Sequence, residues 1–251
     1  MNNNCLKLNE EKTEFVIFGS KKDLDKVTGW TVSVGDAKIF PSKSARNIGV
    51  YMDPALNMNS HINNIIRSCY IQIRSLAKIR KYLSMEATEK LTHAFISSRL
   101  DNLNALLYNL PDYQLKRLQL VMNNAARLVM KLRKSCHITP VLIELHWLLI
   151  ECRIKYKLLL VVFKCLQNLA PSYLCSLLQP YTPSRALRSS SQHLLMDPVS
   201  HKKYGDRAFA VAGPRLWNAL PMSVRQCSTV EQFKTALKTH LFKTGYSLMP
   251  L

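Results

Sequence analysis

Residues 57–82, NMNSHINNIIRSCYIQIRSLAKIRKY, decide how this chain is read. Ile62, Ile66, Cys69, Ile73 and Leu76 recur at spacings of 4, 3, 4 and 3, the apolar stripe of an amphipathic helix over about 58–82. Arg67, Arg74, Lys78 and Lys81 lie largely off that stripe. A second helix is predicted from Ser84, a good N-cap, with Glu86 in its first turn, to about Asn109, stopping at Pro111. Its expected buried side is Ala87, Leu91, Ala94, Phe95, Ser98, Leu106 and Leu110. A third begins near Asp112, where Leu115, Leu118, Met122, Ala125, Val129 and Leu132 again step by 3 and 4. Short links between consecutive helices imply an antiparallel bundle. Thirteen Lys and Arg sit in residues 57–134 against four acids, so this block carries +9 of the chain's +19.

On either side the pattern changes. Residues 1–56 hold short β-prone runs: Phe15–Phe18, Thr31–Val34, Ala37–Phe40 and Asn47–Tyr51. Gly35-Asp36 between two of them reads as a tight hairpin. This N-terminal part is nearly neutral at +1, and so few strands are marginal alone. Residues 135–180 are expected to continue the helices: Pro140 opens a short one, and a nearly all-apolar one over about 151–169 should be central and buried. Ala170–Leu174 starts another short helix ending near Leu178. Residues 181–251 form a linker and C-terminal segment. The linker is Pro- and Ser-rich, Leu194–Met196 is strand-like, and a final helix carries Ser228 and Glu231 at capping-box spacing and ends near Gly245. The expected fold class is mainly α with a small N-terminal β portion (α+β).

The 251 residues are 47% hydrophobic and 20% charged, the balance of a folded chain. Only seven glycines disfavour an all-β sandwich. The seven cysteines form no CxxC pair and no zinc spacing, and read as reduced core thiols of an intracellular protein, cytoplasmic or nuclear. The N-terminus has no apolar core of a secretory signal, and the longest apolar run, Leu158–Phe163, is far too short to cross a bilayer. No adjacent Asp pair, phosphate loop, GxGxxG, GxSxG or HExxH occurs, and no His is followed two residues on by Asp or Glu. No catalytic or metal-binding residue is therefore expected. His61 and His240 read as surface or boundary residues, His146 as structural, and Tyr82, Trp147 and Trp217 as candidates for base stacking that packing would also explain. A basic helical block fits a negatively charged partner: nucleic acid first, an anionic membrane second, with a plain solvated face as the alternative.

Particular stretches carry a resemblance. They are Leu6–Glu14 (LKLNEEKTE); Ala45–Val50 (ARNIGV) with Asp53, Leu56 and His61-Ile62; His93–Asp101 (HAFISSRLD); Arg117–Gln119; His137–Leu142 (HITPVL) with Leu145–Leu148 (LHWL); Leu169–Leu174 (LAPSYL); and Pro214–Asn218 (PRLWN). With these in order over nearly the whole chain, it resembles the C-terminal part of the reverse transcriptase of non-LTR (LINE-type, jockey-like) retrotransposons. The resemblance implies a palm remnant over 1–56, a basic thumb-like bundle over 57–134, a buried helical continuation over 135–180 and the segment 181–251. It implies a parent RNA-directed DNA polymerase whose Asp pair holds Mg²⁺ just upstream of the LKLN stretch. With Met1 after that loop, a truncated chain with no polymerase activity and no cofactor of its own is expected. A reading frame extending upstream to an active palm is the alternative. Lys12 matches a family lysine beside the active site. The partner expected is RNA, DNA or an RNA–DNA duplex, not a membrane. The candidate contacts, drawn from basic helix faces, are Arg67, Arg74, Lys78, Lys81, Arg117, Arg127 and Lys131. Two other readings stay open: a helical interaction module or inert remnant, and a relationship to the N-terminal segment of an AlkB-homologue repair protein, on residues Ile48–Ile62 alone.

Overall fold

The structure, a computed structural model, describes residues 9–27, 29–35, 37–182, 193–200 and 204–247. It is mainly helical with a small N-terminal β part. The chain divides into two compact units, Met1–Ser68 and Cys69–Leu251. The division falls inside one helix rather than at the linker.

In the first unit, a 3₁₀ turn at Glu10–Lys12 and a short helix α1 (Lys21–Leu24) precede two hairpins. Strands β1 (Val32–Val34) and β2 (Ala37–Ile39) pair antiparallel with Val32 opposite Ile39. Gly35 takes a positive φ of 59° at their turn, as the Gly-Asp reading requires; Asp36 itself lies outside the described residues. Residues 47–51, expected as one strand, are instead a hairpin of β3 (Ala45–Asn47) and β4 (Val50–Met52). Ile48 and Gly49 form its turn with φ of 47° and 83°. Two successive positive φ values match the twist of the flanking strands. Ile48 accepts this at a steric cost, and its side chain is exposed. The expected strand at Phe15–Phe18 reduces to a single bridge from Phe15 to Pro41. Proline has no N–H to extend a ladder there. At the unit's far end Asp53 accepts from the backbone N–H of Asn57 (2.7 Å) and Asn59 (3.2 Å), capping α2 (Asn59–Ile79).

The second unit begins within α2, which tightens into a 3₁₀ turn at Arg80–Tyr82. Helix α3 (Met85–Thr92) follows, with Ser84 as N-cap accepting from Ala87 N–H at 3.1 Å. The chain then widens into a π-turn at His93–Ser97 before α4 (Ser98–Asp101). The helix ends here, not near Asn109. Leu103 is left-handed at φ 53°, and Asn104–Leu107 is a separate 3₁₀ turn. The expected buried face is also corrected. Thr88, Thr92, Ile96, Ser97 and Leu100 are buried, while Ala94, Phe95, Ser98 and Leu106 are exposed; Leu110 alone of the expected set is fully inside. Thr88 can be inside because its hydroxyl donates to Ser84 O (2.7 Å) within its own helix. The π-turn then shifts the later residues around the axis.

Helix α5 (Asp112–Met130) buries Leu118, Val121, Met122, Ala125, Ala126 and Val129. After α6 (Ile138–Glu144), α7 (Ile150–Leu166) forms the centre of the unit, as its nearly all-round apolar sequence predicts. It packs against α5, α8 (Ser172–Cys175), α9 (Phe209–Asn218) and α11 (Val230–Ser247). A short α10 (Met222–Arg225) joins the last two. Phe163 of α7 stacks on Phe233 of α11 at 4.2 Å, and Trp217 of α9 closes the cluster. Two glycines allow the close approach. A Cβ at Gly213 would stand 3.0 Å from Val162, and one at Gly245 2.8 Å from Cys152 Sγ. Helix α11 ends at Ser247, near Gly245 as expected, and Gly245 itself lies in its last turns as a packing position. The N-cap of α11 is Thr229, whose hydroxyl accepts from Gln232 N–H at 3.2 Å, one residue after the cap expected at Ser228. Leu194–Met196, expected as strand-like, makes one bridge, Pro180 to Leu195. Linker residues 183–192 lie outside the described residues.

Candidate nucleic-acid interface

Within the second unit, two basic helix ends are joined by one buried cation. Arg80 is 8% exposed. Its Nε donates to Leu128 O (2.9 Å), its Nη2 to Val129 O (2.7 Å) and its Nη1 to Leu83 O (2.8 Å). The first two carbonyls belong to the last turn of α5, where helical partners run out and the dipole is negative. A fixed guanidinium fork meets them better than an ammonium could. Higher up, Asn124 Nδ2 donates to Tyr70 Oη at 2.9 Å, tying the same two helices.

This clamp places the end of α2 beside the end of α5. Arg74, Lys78 and Lys81 are exposed on the first, and Lys131, Arg133 and Lys134 on the second. Lys131 is the C-cap of α5, left-handed at φ 54°, so the chain turns out of the helix at the cation. None of these six forms an ion pair among the described residues. From 57 to 82 there is no acid at all. Tyr82 projects among the cations, 77% exposed, with Lys81 Nζ 4.7 Å from its ring centre. An exposed ring amid cations with no ion pair offers charge to a phosphate and a π-face to a base. Cations at helix C-termini also complement the dipole, yet that effect fades within a turn and does not explain Arg74.

The other predicted contacts are placed differently. Arg67 is exposed on α2 but belongs to the first unit. Arg117 is half-buried. Arg127 turns inward, its Nη2 donating to Cys136 O at 3.2 Å. Lys12 is exposed in the first unit, its backbone N–H bonded to Asn9 Oδ1 at 3.1 Å. Among the stacking candidates, Trp147 and Trp217 are 3% and 1% exposed and serve packing, which leaves Tyr82. Arg133 and Lys134 are absent from the sequence-based candidates because they follow the last periodic residue of α5 and lie on no predicted helix face. His61, expected at the surface or a boundary, is buried at 3% exposure, with neither ring nitrogen hydrogen-bonded among the described residues.

Among the described residues no group of three or more His, Cys, Asp or Glu could hold a metal ion. No helix among them is long and apolar enough to cross a membrane. Compared with known protein families, with curated proteins and with solved structures, the chain gives no match.

Proposed function

We propose that this chain is the C-terminal, thumb-like part of a LINE-type reverse transcriptase and grips RNA, DNA or an RNA–DNA duplex without regard to sequence. The observation that carries the binding is the cluster of six unpaired cations and Tyr82 gathered by Arg80 at the ends of α2 and α5. The lineage rests on the resemblance of the ordered stretches. If six cations each displace a counterion, log K falls with log salt at a slope of about −5 on duplex. Titrating a labelled RNA–DNA duplex at two or more salt concentrations measures that slope. Absence of binding at low salt overturns the proposal.

A second reading draws on the first unit. Phe18, Trp30, Phe40 and Ile48 are 50%, 60%, 67% and 85% exposed there. Apolar groups so exposed fit a protein partner. Co-precipitation that survives nuclease treatment supports this interaction-module reading; loss of the partner on treatment rejects it.

A further inference from the structure

A second polar site lies in the second unit, built by other residues. An open cleft of about 410 Å³ is walled by the π-turn at 93–97, the loop at 102–104, the 145–149 link and the faces of α7 and α11. Its volume falls in the range of small-molecule sites, roughly 300–1,000 Å³. Two of the sequence stretches that carry the resemblance, His93–Asp101 and Leu145–Leu148, meet here, some fifty residues apart in the chain.

The backbone around the cleft is irregular on three sides. The π-turn bears His93, Leu103 is left-handed beside Asn104, and His146 is left-handed at φ 53°. Such departures concentrate at functional sites. The polar groups are also left open. Asn104 is 3% exposed, and its Oδ1 accepts from nothing among the described residues. His146 Nδ1 lies 2.7 Å from Ile143 O, a carbonyl that can only accept. Nδ1 is therefore the donor of that bond, and in the matching tautomer Nε2 is the acceptor. Arg153 uses Nη1 on Asp101 (2.7 Å) and Nε on Leu148 O (3.0 Å), which holds its guanidinium rigid, with Nη2 unbonded among the described residues. Lys157, one turn along the same face of α7, and Lys238 of α11 form no ion pair among the described residues.

We infer that this cleft binds a small phosphate monoester carried on a hydroxylated ring, the chemistry shared by a mononucleotide and a sugar phosphate. Arg153 Nη2, Lys157 and Lys238 supply donors for the phosphoryl oxygens. Asn104 Oδ1 and His146 Nε2 accept from hydroxyl or amino groups of the ring. A bare anion would leave the buried Asn104 oxygen unpaired, which is costly.

Calorimetric titration of the full chain with adenosine 5′-monophosphate, ribose 5-phosphate and inorganic phosphate tests this. Binding of an organic phosphate at or below about 1 mM, and more tightly than inorganic phosphate, is expected. Equal affinity for the two organic ligands identifies a sugar-phosphate site, and a preference for the nucleotide identifies a nucleotide site. Lys157 and Lys238 are exposed, so the double variant K157A/K238A should fold and bind at least about tenfold more weakly. The variant K78A/K81A/K131A should retain cleft binding while losing duplex affinity, which separates this inference from the duplex-binding proposal. No binding at that concentration, equal binding of inorganic phosphate, or unchanged affinity in K157A/K238A overturns the inference.

Discussion

Arg80 shows how one residue type can serve two ends within a single sequence block. Thirteen cations occupy residues 57–134, and by sequence Arg80 is indistinguishable from Lys78 or Lys81 beside it. Its neighbours face solvent, while Arg80 is inside with three backbone carbonyls on its guanidinium. Arg80→Met should cost on the order of 3 kcal/mol, because hydrogen bonds to a charged donor are each worth about 1.5–3 and α5 loses its terminal partners. Arg80→Lys should recover only part, since one ammonium cannot span three carbonyls. Urea unfolding midpoints of the variants check both. His61 has the opposite difficulty: it is buried without a partner, and burial lowers its pKa from 6.5. The folded state then resists the proton that the unfolded state takes up. Stability should be unaffected above the unfolded value and decline as pH falls through about 6.5 toward the lower folded value. His240, also lowered by burial, adds to the same trend. Urea midpoints at pH 7.5 and 5.5 should therefore diverge, and His61→Leu should narrow the gap. An unchanged gap in that variant would remove His61 from the account.

At the scale of elements, the helices were legible in the sequence where apolar period and chain punctuation agree. Helix α5 opens after Pro111 and keeps its stripe, and α7 is buried because it is apolar on nearly every side. Where structure and sequence pattern differ the cause is shared: a residue's type does not fix its role. Thr88 is not part of the expected apolar face, yet it satisfies its hydroxyl inside its helix and is buried. Gly49 sits at a hairpin turn inside what looked like one strand. Gly245 marks the neighbourhood of the helix end and is also a packing site against Cys152. Only the three-dimensional neighbour distinguishes these uses. The last has a measurable consequence. Gly245→Ala gains helix propensity of about 1 kcal/mol, but its methyl would meet Cys152 Sγ at 2.8 Å. Overpacking of this kind costs about 1–3 kcal/mol, so the substitution should be net destabilising. The pair Gly245→Ala with Cys152→Ala should recover stability relative to Gly245→Ala alone. Thermal or urea unfolding of the three variants completes that cycle.

For the molecule as a whole, charge sets fold and binding against each other. A formal charge of +19 on 251 residues leaves a large excess of cations: among the described residues the ion pairs are few and mostly exposed, and the six cations at the ends of α2 and α5 form none. Like charges at that density repel within the folded state, and salt screens them over roughly 8–10 Å at physiological strength. Raising salt from about 0.05 to 0.2 M should therefore raise the urea midpoint modestly. Over the same interval duplex affinity should fall, by about 10³-fold if six phosphates are engaged. The two trends have opposite signs because the same cations are unsatisfied in the free protein and neutralised on the duplex. Removing Lys78, Lys81 and Lys131 together should weaken both dependences at once, flattening the stability trend and reducing the binding slope by about three counterions' worth. A triple variant with a flatter stability trend but an unchanged binding slope would mean that the cluster is a solvated face and that the duplex is held elsewhere. Paired salt titrations of folding and binding, on the wild type and the triple variant, distinguish these outcomes.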